Sequence, residues 1–524
     1  MIALLDYGAG NVRSVVNAIE SLGETVKTVS GPEDILSAEK LVFPGVGAFG
    51  NMIHILHQKN FVEPLKAYIN ANRPFLGICL GLQALFERSE EAPNLKGMGL
   101  LAGSVKRFNT DLSVPHIGWN GLNFKQPSPI FAGLNGDEKF YFVHSYHVDV
   151  EDQAVTLTTT DYGYEFVSSI QKGNIIASQF HPEKSGRAGL LVLKNFLEMA
   201  GEATRPVRST TGTTLAKRII ACLDVRTNDR DDLVVTKGDQ YDVRENGDVR
   251  NLGQPVELAR RYYREGADEI TFLNITGFRD FPLEDMPMLE VLRQTSQNVF
   301  VPLTIGGGIR DYKDKDGREY SALEVAAEYF RSGADKVSIG SDAVLIAEAY
   351  LAGGRASGSS SIEEISRVYG NQAVVISIDP RRIYVKSPIE VRHQVIETAI
   401  PGPGGEQFCW YQCTIKGGRE GRDLDAITLA QVCEKLGAGE ILLNCIDRDG
   451  TNIGFDIELI NEVAAAISLP VIASSGAGKV EHFREVFTAT EAESALAAGI
   501  FHRREIPIEE VKNHLAKNQV EIRR

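Results

Sequence analysis

The sequence predicts an α/β protein in two parts: an N-terminal domain with an open α/β sheet and a C-terminal (βα)8 barrel with an internal duplication. Three observations support this prediction. Short apolar segments alternate with helical stretches up to about residue 199, a polar stretch then interrupts the pattern, and a second strand–helix series repeats itself once. The 524 residues also exceed what a single hydrophobic core usually organises.

The first series predicts the open sheet over residues 1–202. Its strand segments are IALLD, KLVFPG, FLGIC, YFVHSY and IIASQF. The stretch GEATRPVRSTTGTT follows, with the proline, glycine and hydroxyl side chains that are typical of a linker. We therefore predict a linker over residues 203–215 and a second domain over residues 216–524.

The second domain contains an internal repeat that predicts its architecture. The segments GADEITFLNIT and GAGEILLNCID resemble each other, as do VPLTIGGGI and LPVIASSGAG. Four strand–helix units that occur twice give eight, which is the number in a closed (βα)8 barrel. Three insertions, at residues 311–319, 352–361 and 388–422, are expected to be loops.

Charge and hydropathy limit the classes of function. The 55 Lys and Arg residues against 70 Asp and Glu residues leave a net charge of −15, which argues against nucleic acid as a partner. The apolar runs have the length of strands and are too short to span a membrane. We expect a cytoplasmic protein, or a plastid protein if a transit peptide has been removed.

The six cysteines show no paired C-x-x-C spacing, which indicates reduced thiols rather than a disulfide framework. Cys409 and Cys413 are four residues apart, but no histidines cluster near them, so a zinc site is the weaker alternative. We therefore expect no metal and no cofactor.

The segment GICLG places Cys79 between two glycines, after an apolar strand and before a helix. This pattern predicts a nucleophile elbow in which cysteine replaces serine. The tight turn would hold the sulfur at a helix N-terminus, where the helix dipole favours the thiolate. A buried structural cysteine is the alternative for this segment taken alone.

A second segment, SQFHPE, ends a strand on His181, with Glu183 two residues later. A histidine at a strand end can act as base to a thiol, and a carboxylate behind it can fix its tautomer. Cys79, His181 and Glu183 are therefore the predicted catalytic triad. In the glycine-rich segment FPGVGAFG, the backbone N–H of Val46 could form an oxyanion hole with that of Leu80.

The segments GICLGLQ, PGVG and HPE resemble class I glutamine amidotransferases, over residues 1 to about 200. The resemblance implies that the thiolate attacks the side-chain amide of glutamine, that ammonia leaves, and that water then frees glutamate. It also implies that glutamine is held by Gly47, Gln83, Ser145 and Tyr146. The segments DYGAGN and PHIGWN narrow the resemblance to the glutaminases of histidine biosynthesis.

In the barrel domain, Asp224 and Asp379 end equivalent strands of the two repeats. Active sites of such barrels lie at the C-terminal strand ends, so the two carboxyl groups should face each other across the mouth. Such a pair suits a general base and a general acid, whereas two capping aspartates are the alternative. Lys237, in VVTKG, is a candidate anion partner.

Glycine-rich strand ends occur once in each repeat. Small residues let backbone N–H groups approach a phosphate closely, so two such sites predict a substrate with a phosphate at each end. The residues concerned are Gly307, Gly308, Gly340 and Ser341 in the first half, and Ser475, Gly476, Ala498 and Gly499 in the second.

The barrel domain resembles the cyclase of the imidazole glycerol phosphate synthase family through AKRIIACLDV, LTIGGGIRD, GADKVSIG, LLNCIDRDGT and VIASSGAG. The resemblance implies that a bisphosphorylated formimino-ribulosyl carboxamide nucleotide takes up ammonia and yields imidazole glycerol phosphate and aminoimidazole carboxamide ribotide. Asp224 would be the base and Asp379 the acid, and Asp449 and Gly450 would line the mouth. Asn274 stands where the resemblance leads us to expect an aspartate.

The strand starts at the barrel floor carry Arg218, Glu269 and Lys336. The resemblance implies that these side chains form a charged gate for ammonia, whereas a solvated salt-bridge ring is the alternative. It further implies that Asp335 contacts the glutaminase and that Trp119 lies at the interface.

These features together predict a bifunctional enzyme that hydrolyses glutamine and uses the ammonia in the barrel. We expect small-molecule substrates only, and a monomer, because both activities lie on one chain. Two rivals are a regulatory protein that binds the same ligands without turnover and a glutaminase that feeds a pyridoxal phosphate synthase. The catalytic side chains disfavour the first, and the second would need a Schiff-base lysine, for which only Lys237 is a candidate.

Overall fold

A computed structural model describes most of the chain. The described residues are 1–8, 11–198, 212–228, 233–236, 244–245, 248–249, 251–275, 286–313 and 317–524. Lys237 and most of the predicted linker lie outside these ranges. None of the helices within them is long and apolar enough to cross a membrane.

The N-terminal domain is built on a mixed sheet of 11 strands. Its strands and those packed beside it are β1 (Ile2–Leu4), β2 (Val26–Thr28), β3 (Lys40–Phe43), β4 (Phe75–Ile78), β5 (Arg88–Ser89), β6 (Gly103–Arg107), β7 (His116–Asn120), β8 (Asn123–Phe124), β9 (Phe140–His144), β10 (Tyr146–Val150), β11 (Thr156–Asp161), β12 (Glu165–Lys172) and β13 (Ile175–Ser178). The helices are α1 (Val12–Ser21), α2 (Pro32–Ser37), α3 (Phe49–Gln58), α4 (Val62–Asn70), α5 (Leu80–Gln83) and α6 (Gly186–Glu198).

The sheet order is β2-β1-β3-β4-β13-β12-β10-β6-β5, and its first five strands run parallel. Helices cover both faces of such a parallel region, which explains why β1, β3, β4 and β13 are apolar on both faces. The C-terminal ends of β4 and β13, two neighbouring strands, carry the predicted nucleophile and histidine. The open α/β sheet is thus confirmed.

The C-terminal domain begins with β14 (Arg218–Thr227). Its further strands are β15 (Leu233–Thr236), β16 (Arg244–Glu245), β17 (Asp248–Val249), β18 (Glu269–Asn274), β19 (Leu303–Gly306), β20 (Tyr312–Lys313), β21 (Glu319–Tyr320), β22 (Lys336–Ile339), β23 (Val374–Ile378), β24 (Pro380–Val385), β25 (Ile396–Glu397), β26 (Phe408–Ile415), β27 (Glu420–Asp425), β28 (Glu440–Asn444), β29 (Val471–Ser474) and β30 (Ser494–Ala497).

The helices of this domain surround its strands. They are α7 (Pro255–Arg264), α8 (Met286–Ser296), α9 (Ala322–Ser332), α10 (Ser341–Gly353), α11 (Ser361–Tyr369), α12 (Ala426–Leu436), α13 (Ile457–Ala466), α14 (Val480–Ala489), α15 (Gly499–His502) and α16 (Ile508–Lys517).

Eight parallel strands form the barrel in the order β14-β18-β19-β22-β23-β28-β29-β30, and the pairing of β30 with β14 closes it. The predicted (βα)8 architecture is therefore confirmed. Alternate side chains of each strand point to the axis. Along β14 these inward positions are Arg218 at the floor, Ile220 and Cys222 in the middle, and Asp224 at the mouth.

The middle of the barrel is apolar. Ile220 and Cys222 pack there with side chains from four other strands, namely Val375, Leu442, Ile472 and Leu496. All six are at most 5% exposed. The barrel axis is thus lined by hydrophobic groups between a charged floor and a polar mouth.

The predicted loop at residues 388–422 is wrong in part, because β25, β26 and the start of β27 fall within it. They pair with β24 in a four-stranded antiparallel sheet. The aromatic and β-branched run FCWYQCTI explains the long strand β26. Arg382 of β24 donates three hydrogen bonds to Asp456, 2.7, 2.8 and 3.0 Å long, which attach this sheet to the barrel at the start of α13.

The other two insertions are also partly regular. The short strands β20 and β21 lie at the two ends of the insertion 311–319 and pair with each other. Tyr312 stacks on Tyr320, with 5.0 Å between the ring centroids. In 352–361, α10 continues to Gly353 and α11 begins at Ser361, after a capping box formed by Ser360 and Glu363.

The two domains meet at the barrel floor. Trp119, fully buried, donates its indole N–H to the carbonyl of Asp268 at 3.1 Å. Asp335 accepts from the amide of Asn11 at 2.8 Å and pairs with Lys184 at 2.6 Å. The structure thus places both Trp119 and Asp335 at the contact between the domains.

Asp268 also forms buried ion pairs in this contact. Its carboxylate pairs with Lys512 and Arg523, both at 2.6 Å, and accepts from the backbone N–H of Ile219 at 2.9 Å. Burial lowers the pKa of Lys512 to about 7, against the raising effect of Asp268. The Lys512 ammonium therefore depends on this single carboxylate.

We predict that Asp268→Ala lowers the free energy of unfolding by about 3–5 kcal/mol, because it leaves a buried cation without its partner. Urea unfolding followed by circular dichroism measures this. The matched control is Glu257→Ala, which breaks the exposed pair with Arg260 and should leave the unfolding midpoint unchanged. An equal effect of the two substitutions would contradict the assignment.

Candidate active site

Cys79 stands alone between the end of β4 and the start of α5. Its backbone φ of 53° lies in the left-handed region, which residues other than glycine seldom adopt. A Cβ at Gly81 would come within 2.1 Å of the carbonyl oxygen of Phe43, and one at Gly77 within 2.7 Å of that of Gly81. The glycines on both sides of the nucleophile are thus sterically required.

The helix that follows the nucleophile is short. α5 has only 4 residues, so few peptide dipoles align beneath the sulfur. The expected contribution of a helix N-terminus is therefore small, and the charge of a thiolate must be stabilised mainly by side chains. Two side chains next to the sulfur are His181 and Gln179.

His181 follows β13, the neighbour of β4, and Glu183 holds it from behind. Glu183 Oε1 lies 2.8 Å from His181 Nδ1, and both side chains are almost completely buried. Burial lowers the pKa of His181, but the charges of Glu183 and Cys79 outweigh it and raise the pKa to about 10. The structure thus brings the three triad residues together, and the raised pKa keeps His181 protonated at neutral pH.

The two predicted oxyanion-hole amides do not converge in this conformation. The N–H of Leu80 donates to the carbonyl of Gly45 at 3.4 Å. In a planar trans peptide the next N–H, that of Val46, points the opposite way. Tyr7 holds this arrangement by donating its hydroxyl to the carbonyl of Val46 at 3.0 Å.

The Val46 N–H therefore does not have the expected orientation in this conformation. A rotation of the peptide between Gly45 and Val46 is needed before both N–H groups can face one oxyanion. The next residue, Gly47, has a φ of 133°, and such backbone freedom allows the segment to rotate.

Two of the predicted glutamine-binding side chains, Gln83 and Ser145, are already engaged in hydrogen bonds. Gln83 donates to the carbonyl of Tyr146 at 3.0 Å and to Gln179 Oε1 at 3.2 Å. Ser145 donates its hydroxyl to Asn371 of the barrel domain at 3.1 Å. The segment around Ser145 therefore belongs both to the glutaminase site and to the domain contact.

Sequence reasoning missed Glu91. Its carboxylate accepts from the backbone N–H of Phe49 at 2.9 Å, and its charge acts on Tyr7 and Tyr146 beside the nucleophile. Burial raises the pKa of Glu91 to about 7. No motif marks this residue, because it lies in an irregular segment ten residues after the nucleophile turn.

At the barrel mouth, the carboxyl group of Asp449 is close enough to those of Asp224 and Asp379 to influence their pKa values. Burial and the charge of Asp449 raise the pKa of Asp224 to about 7. Burial also raises the pKa of Asp379, although Asn444 donates a hydrogen bond of 2.9 Å to it. Because the charge of Asp449 acts on both other carboxyl groups, the three lie around the same opening.

The two predicted phosphate sites sit on neighbouring strand ends in each half of the barrel. Gly307 has a φ of 100° and Gly476 a φ of 96°. A Cβ at either would approach a backbone carbonyl to 2.2 Å. Both positions therefore need glycine.

The remaining residues of these sites adopt the expected positions at strand ends. Gly340 caps α10 and Ser341 opens it, while Ala498 and Gly499 do the same for α15. Ser341 already accepts a hydrogen bond of 3.0 Å from the N–H of Lys416. The others are Gly308, Ser475 and Gly450, all with positive φ.

Comparisons with known proteins match both domains. A family model described as glutamine amidotransferase class-I matches residues 3–200, and one described as histidine biosynthesis protein matches residues 218–507. Imidazole glycerol phosphate synthase hisHF, chloroplastic, from Arabidopsis thaliana is 58% identical over 530 residues, which are 100% of this chain and 89% of the relative.

Two fungal relatives are named imidazole glycerol phosphate synthase hisHF. The one from Schizosaccharomyces pombe is 54% identical over 540 residues and covers 100% of both chains. The one from Emericella nidulans is 54% identical over 545 residues, 100% of this chain and 99% of the relative. The chain belongs to the imidazole glycerol phosphate synthase family.

A ring of four buried charges closes the barrel floor of this family member. Arg218 pairs with Glu269 at 2.9 Å, and Lys336 pairs with Glu269 at 2.7 Å. The fourth member, Glu440, contacts both cations. All four side chains are at most 1% exposed, which excludes the solvated ring that was the alternative.

Glu440 was missed, although the repeat contained the signal for it. The segments GADEI and GAGEI place Glu269 and Glu440 at equivalent positions, both at the first residue of a strand. Asn274, which occupies an expected aspartate position, ends β18 and is buried. Asn274 pairs in register with Val225, next to the pair of Asp224 with Leu273.

We predict that Asp449→Asn shifts the acid limb of ammonia-driven turnover to lower pH by roughly one unit, the usual size for a neighbouring charge. A base at Asp224 works only when deprotonated, so its raised pKa makes activity fall as pH drops through about 7. Removing the negative charge of Asp449 lowers that pKa.

The pH profile should be measured at constant free ammonia concentration. Asp447→Asn is the matched control, because Asp447 stands two residues away and accepts from the N–H of Arg382 at 2.7 Å. An acid limb that stays in place in Asp449→Asn, or moves equally in both variants, would contradict the prediction.

Proposed function

We propose that this chain hydrolyses glutamine at Cys79, passes the ammonia along the barrel axis, and uses it at the mouth to form imidazole glycerol phosphate. The relatives that match the whole chain carry the name of this synthase. The observation that carries the residue assignments is the position of Tyr141. Its carbonyl accepts from the N–H of His181 at 2.9 Å, and its phenol is within the electrostatic reach of Glu269 and Arg218.

A single residue thus spans the distance from the catalytic histidine to the floor of the barrel. The glutaminase site therefore opens toward the closed end of the barrel, opposite the mouth. Such an arrangement suits transfer of a small neutral product between two sites without release to solvent.

The first reaction uses the thiolate–imidazolium pair. The thiolate attacks the side-chain carbonyl carbon of glutamine, His181 donates its proton to the nitrogen, and the C–N bond breaks to release ammonia. His181 then accepts a proton from water, whose oxygen attacks the thioester carbon. Glutamate leaves, and the thiolate of Cys79 is restored.

The negative oxygen formed in both steps needs the N–H groups of Leu80 and Val46, which face it together only after the Gly45–Val46 peptide has rotated. The resting conformation therefore hydrolyses glutamine slowly. Glu91, whose charge acts on Tyr7 and Tyr146, is placed to pair with the α-ammonium of glutamine, which would keep its carboxyl group ionised, while Gln83 and Tyr146 enclose the glutamine chain.

The second reaction takes place among Asp224, Asp379 and Asp449. Ammonia displaces the carbonyl oxygen of the ribulosyl group as water, and ring closure with cleavage yields the two products. Asp224 accepts protons and Asp379 donates one, which its burial and raised pKa favour. The glycine-rich strand ends hold the two phosphates of the nucleotide on opposite sides of the mouth.

Between the sites, ammonia passes the four-charge ring and then the apolar lining of the barrel. We assign the ring as the gate, formed by Arg218, Glu269, Lys336 and Glu440. The substrates are glutamine and a bisphosphorylated nucleotide-like molecule. We also propose that the protein is a monomer and that it works in the cytoplasm or in a plastid.

Cys79→Ala should reduce glutamine-driven turnover by at least about a thousandfold, because no other group can form the thioester. Turnover with ammonium salts should persist, since ammonia then enters at the open mouth. Both rates are measured by the formation of imidazole glycerol phosphate. A folded variant that cannot use ammonium would contradict the two-site assignment.

Lys336→Met should uncouple the two reactions. The substitution keeps the length of the side chain but removes one cation, so the two glutamates repel each other and the ring opens. We expect more than one glutamate to be released for each imidazole glycerol phosphate formed. Lys313→Met, in an exposed pair with Glu319, is the control and should keep the ratio at one. An unchanged ratio in Lys336→Met would contradict the assignment of the four-charge ring as the ammonia gate.

A further inference from the structure

We propose that Gln179 is a further catalytic residue of the glutaminase, whose side-chain amide donates a hydrogen bond to the sulfur of Cys79 and stabilises the thiolate. Its Nε2 lies 3.3 Å from Cys79 Sγ, within hydrogen-bond distance for sulfur. Gln179 is fully buried and Cys79 is 5% exposed, so water does not compete for the sulfur. The inference rests on the proposed role of Cys79 as the nucleophile.

The orientation of the Gln179 amide follows from its neighbours. Gln83 places one N–H on the carbonyl of Tyr146, and its second N–H reaches Gln179 Oε1. Because the carbonyl of Tyr146 can only accept, the Gln83 amide cannot be reversed. Gln179 must therefore present its oxygen to Gln83 and its nitrogen to the sulfur.

A third donor fixes the end of this chain. His144 Nδ1 lies 2.7 Å from the same carbonyl of Tyr146, which requires that Nδ1 carry the hydrogen. Gln83 thus donates both to the carbonyl of Tyr146 and to Gln179, and Gln179 in turn donates to Cys79. Each amide in this chain is held by a group that cannot change its role.

The charges around the sulfur leave room for such a donor. His181 supplies the positive charge, with Glu183 behind it, and Tyr7 is close enough for the charge of Cys79 to act on it. Burial and the charge of Cys79 raise the pKa of Tyr7 beyond its ordinary range, so Tyr7 stays neutral and gives no charge. Asp6 and Glu91 act on Tyr7 as negative charges and would disfavour a second anion nearby.

With a one-turn helix beneath the sulfur, the helix dipole contributes little to the thiolate. The Gln179 amide is thus a neutral dipole that stabilises the anion where neither water nor a long helix does so. Hydrogen bonds to charged acceptors are about twice as strong as those between neutral groups. A thiolate held in this way reacts at a pH where a free thiol would remain protonated.

The test compares two substitutions at this position in the full chain. Gln179→Met keeps the size of the side chain and removes the donor. Gln179→Glu keeps the acceptor for Gln83 and places a negative charge beside the sulfur. Iodoacetamide labels Cys79 in its thiolate form, and peptide mass spectrometry separates Cys79 from the other cysteines, which are all buried.

We expect the midpoint pH for labelling of Cys79 to rise by about 1–2 units in Gln179→Met, the size expected for a hydrogen bond to a charged group. It should rise further in Gln179→Glu. Glutamine-driven turnover should fall about 10- to 100-fold at neutral pH and recover as the pH is raised. Turnover with ammonium salts should stay at the level of the unmodified chain and reports that the barrel is folded.

Gln171→Leu is the matched control, because Gln171 lies on the adjoining strand β12 and donates only to the carbonyl of Gly173. It should leave the midpoint and both rates unchanged. Loss of glutaminase activity in Gln179→Met with an unchanged midpoint would show a merely structural role and overturn the inference, as would no effect at all. Retained glutamine-driven turnover in Cys79→Ala would instead overturn the assignment of the nucleophile.

Discussion

Successive side chains of a β-strand point to opposite faces, so in a closed barrel every second residue of each strand points at the axis. Along β14 the inward positions run from Arg218 at the floor to Asp224 at the mouth, with two apolar side chains between them. A shift of one residue in the pairing of β14 would turn both ends of this series outward. The charged floor, the apolar middle and the acidic mouth therefore depend on one register.

The floor shows how such a register can bury ions. Two cations and two anions alternate in a ring, each anion contacting both cations, so the group as a whole is neutral. Burial of four charges is costly, and a ring of this kind contributes more to a defined geometry than to stability. The domain contact beside it uses the same device, because Asp268 compensates Lys512 and Arg523.

Sequence reasoning recovered what repeats and short motifs encode, namely both folds and the proximity of Cys79, His181 and Glu183, whereas the two phosphate sites stay a prediction. It failed where the role of a residue depends on the direction of a hydrogen bond or on the orientation of a peptide N–H group. The amide of Val46 has the predicted position but not the predicted orientation, and nothing in the letters PGVG reveals that. Gln179 stood inside SQFHPE, yet its contact with the sulfur depends on the packing of β13 against β4.

The apolar lining of the barrel has a consequence for the charge state of the nitrogen that crosses it. At neutral pH most ammonia in water is the ammonium cation, which would have to lose its hydration shell among Ile220, Leu442 and Leu496. Those side chains offer no acceptor in return. On the route that we propose, the barrel interior therefore excludes the ammonium cation and admits neutral ammonia, whose lone pair the next reaction requires.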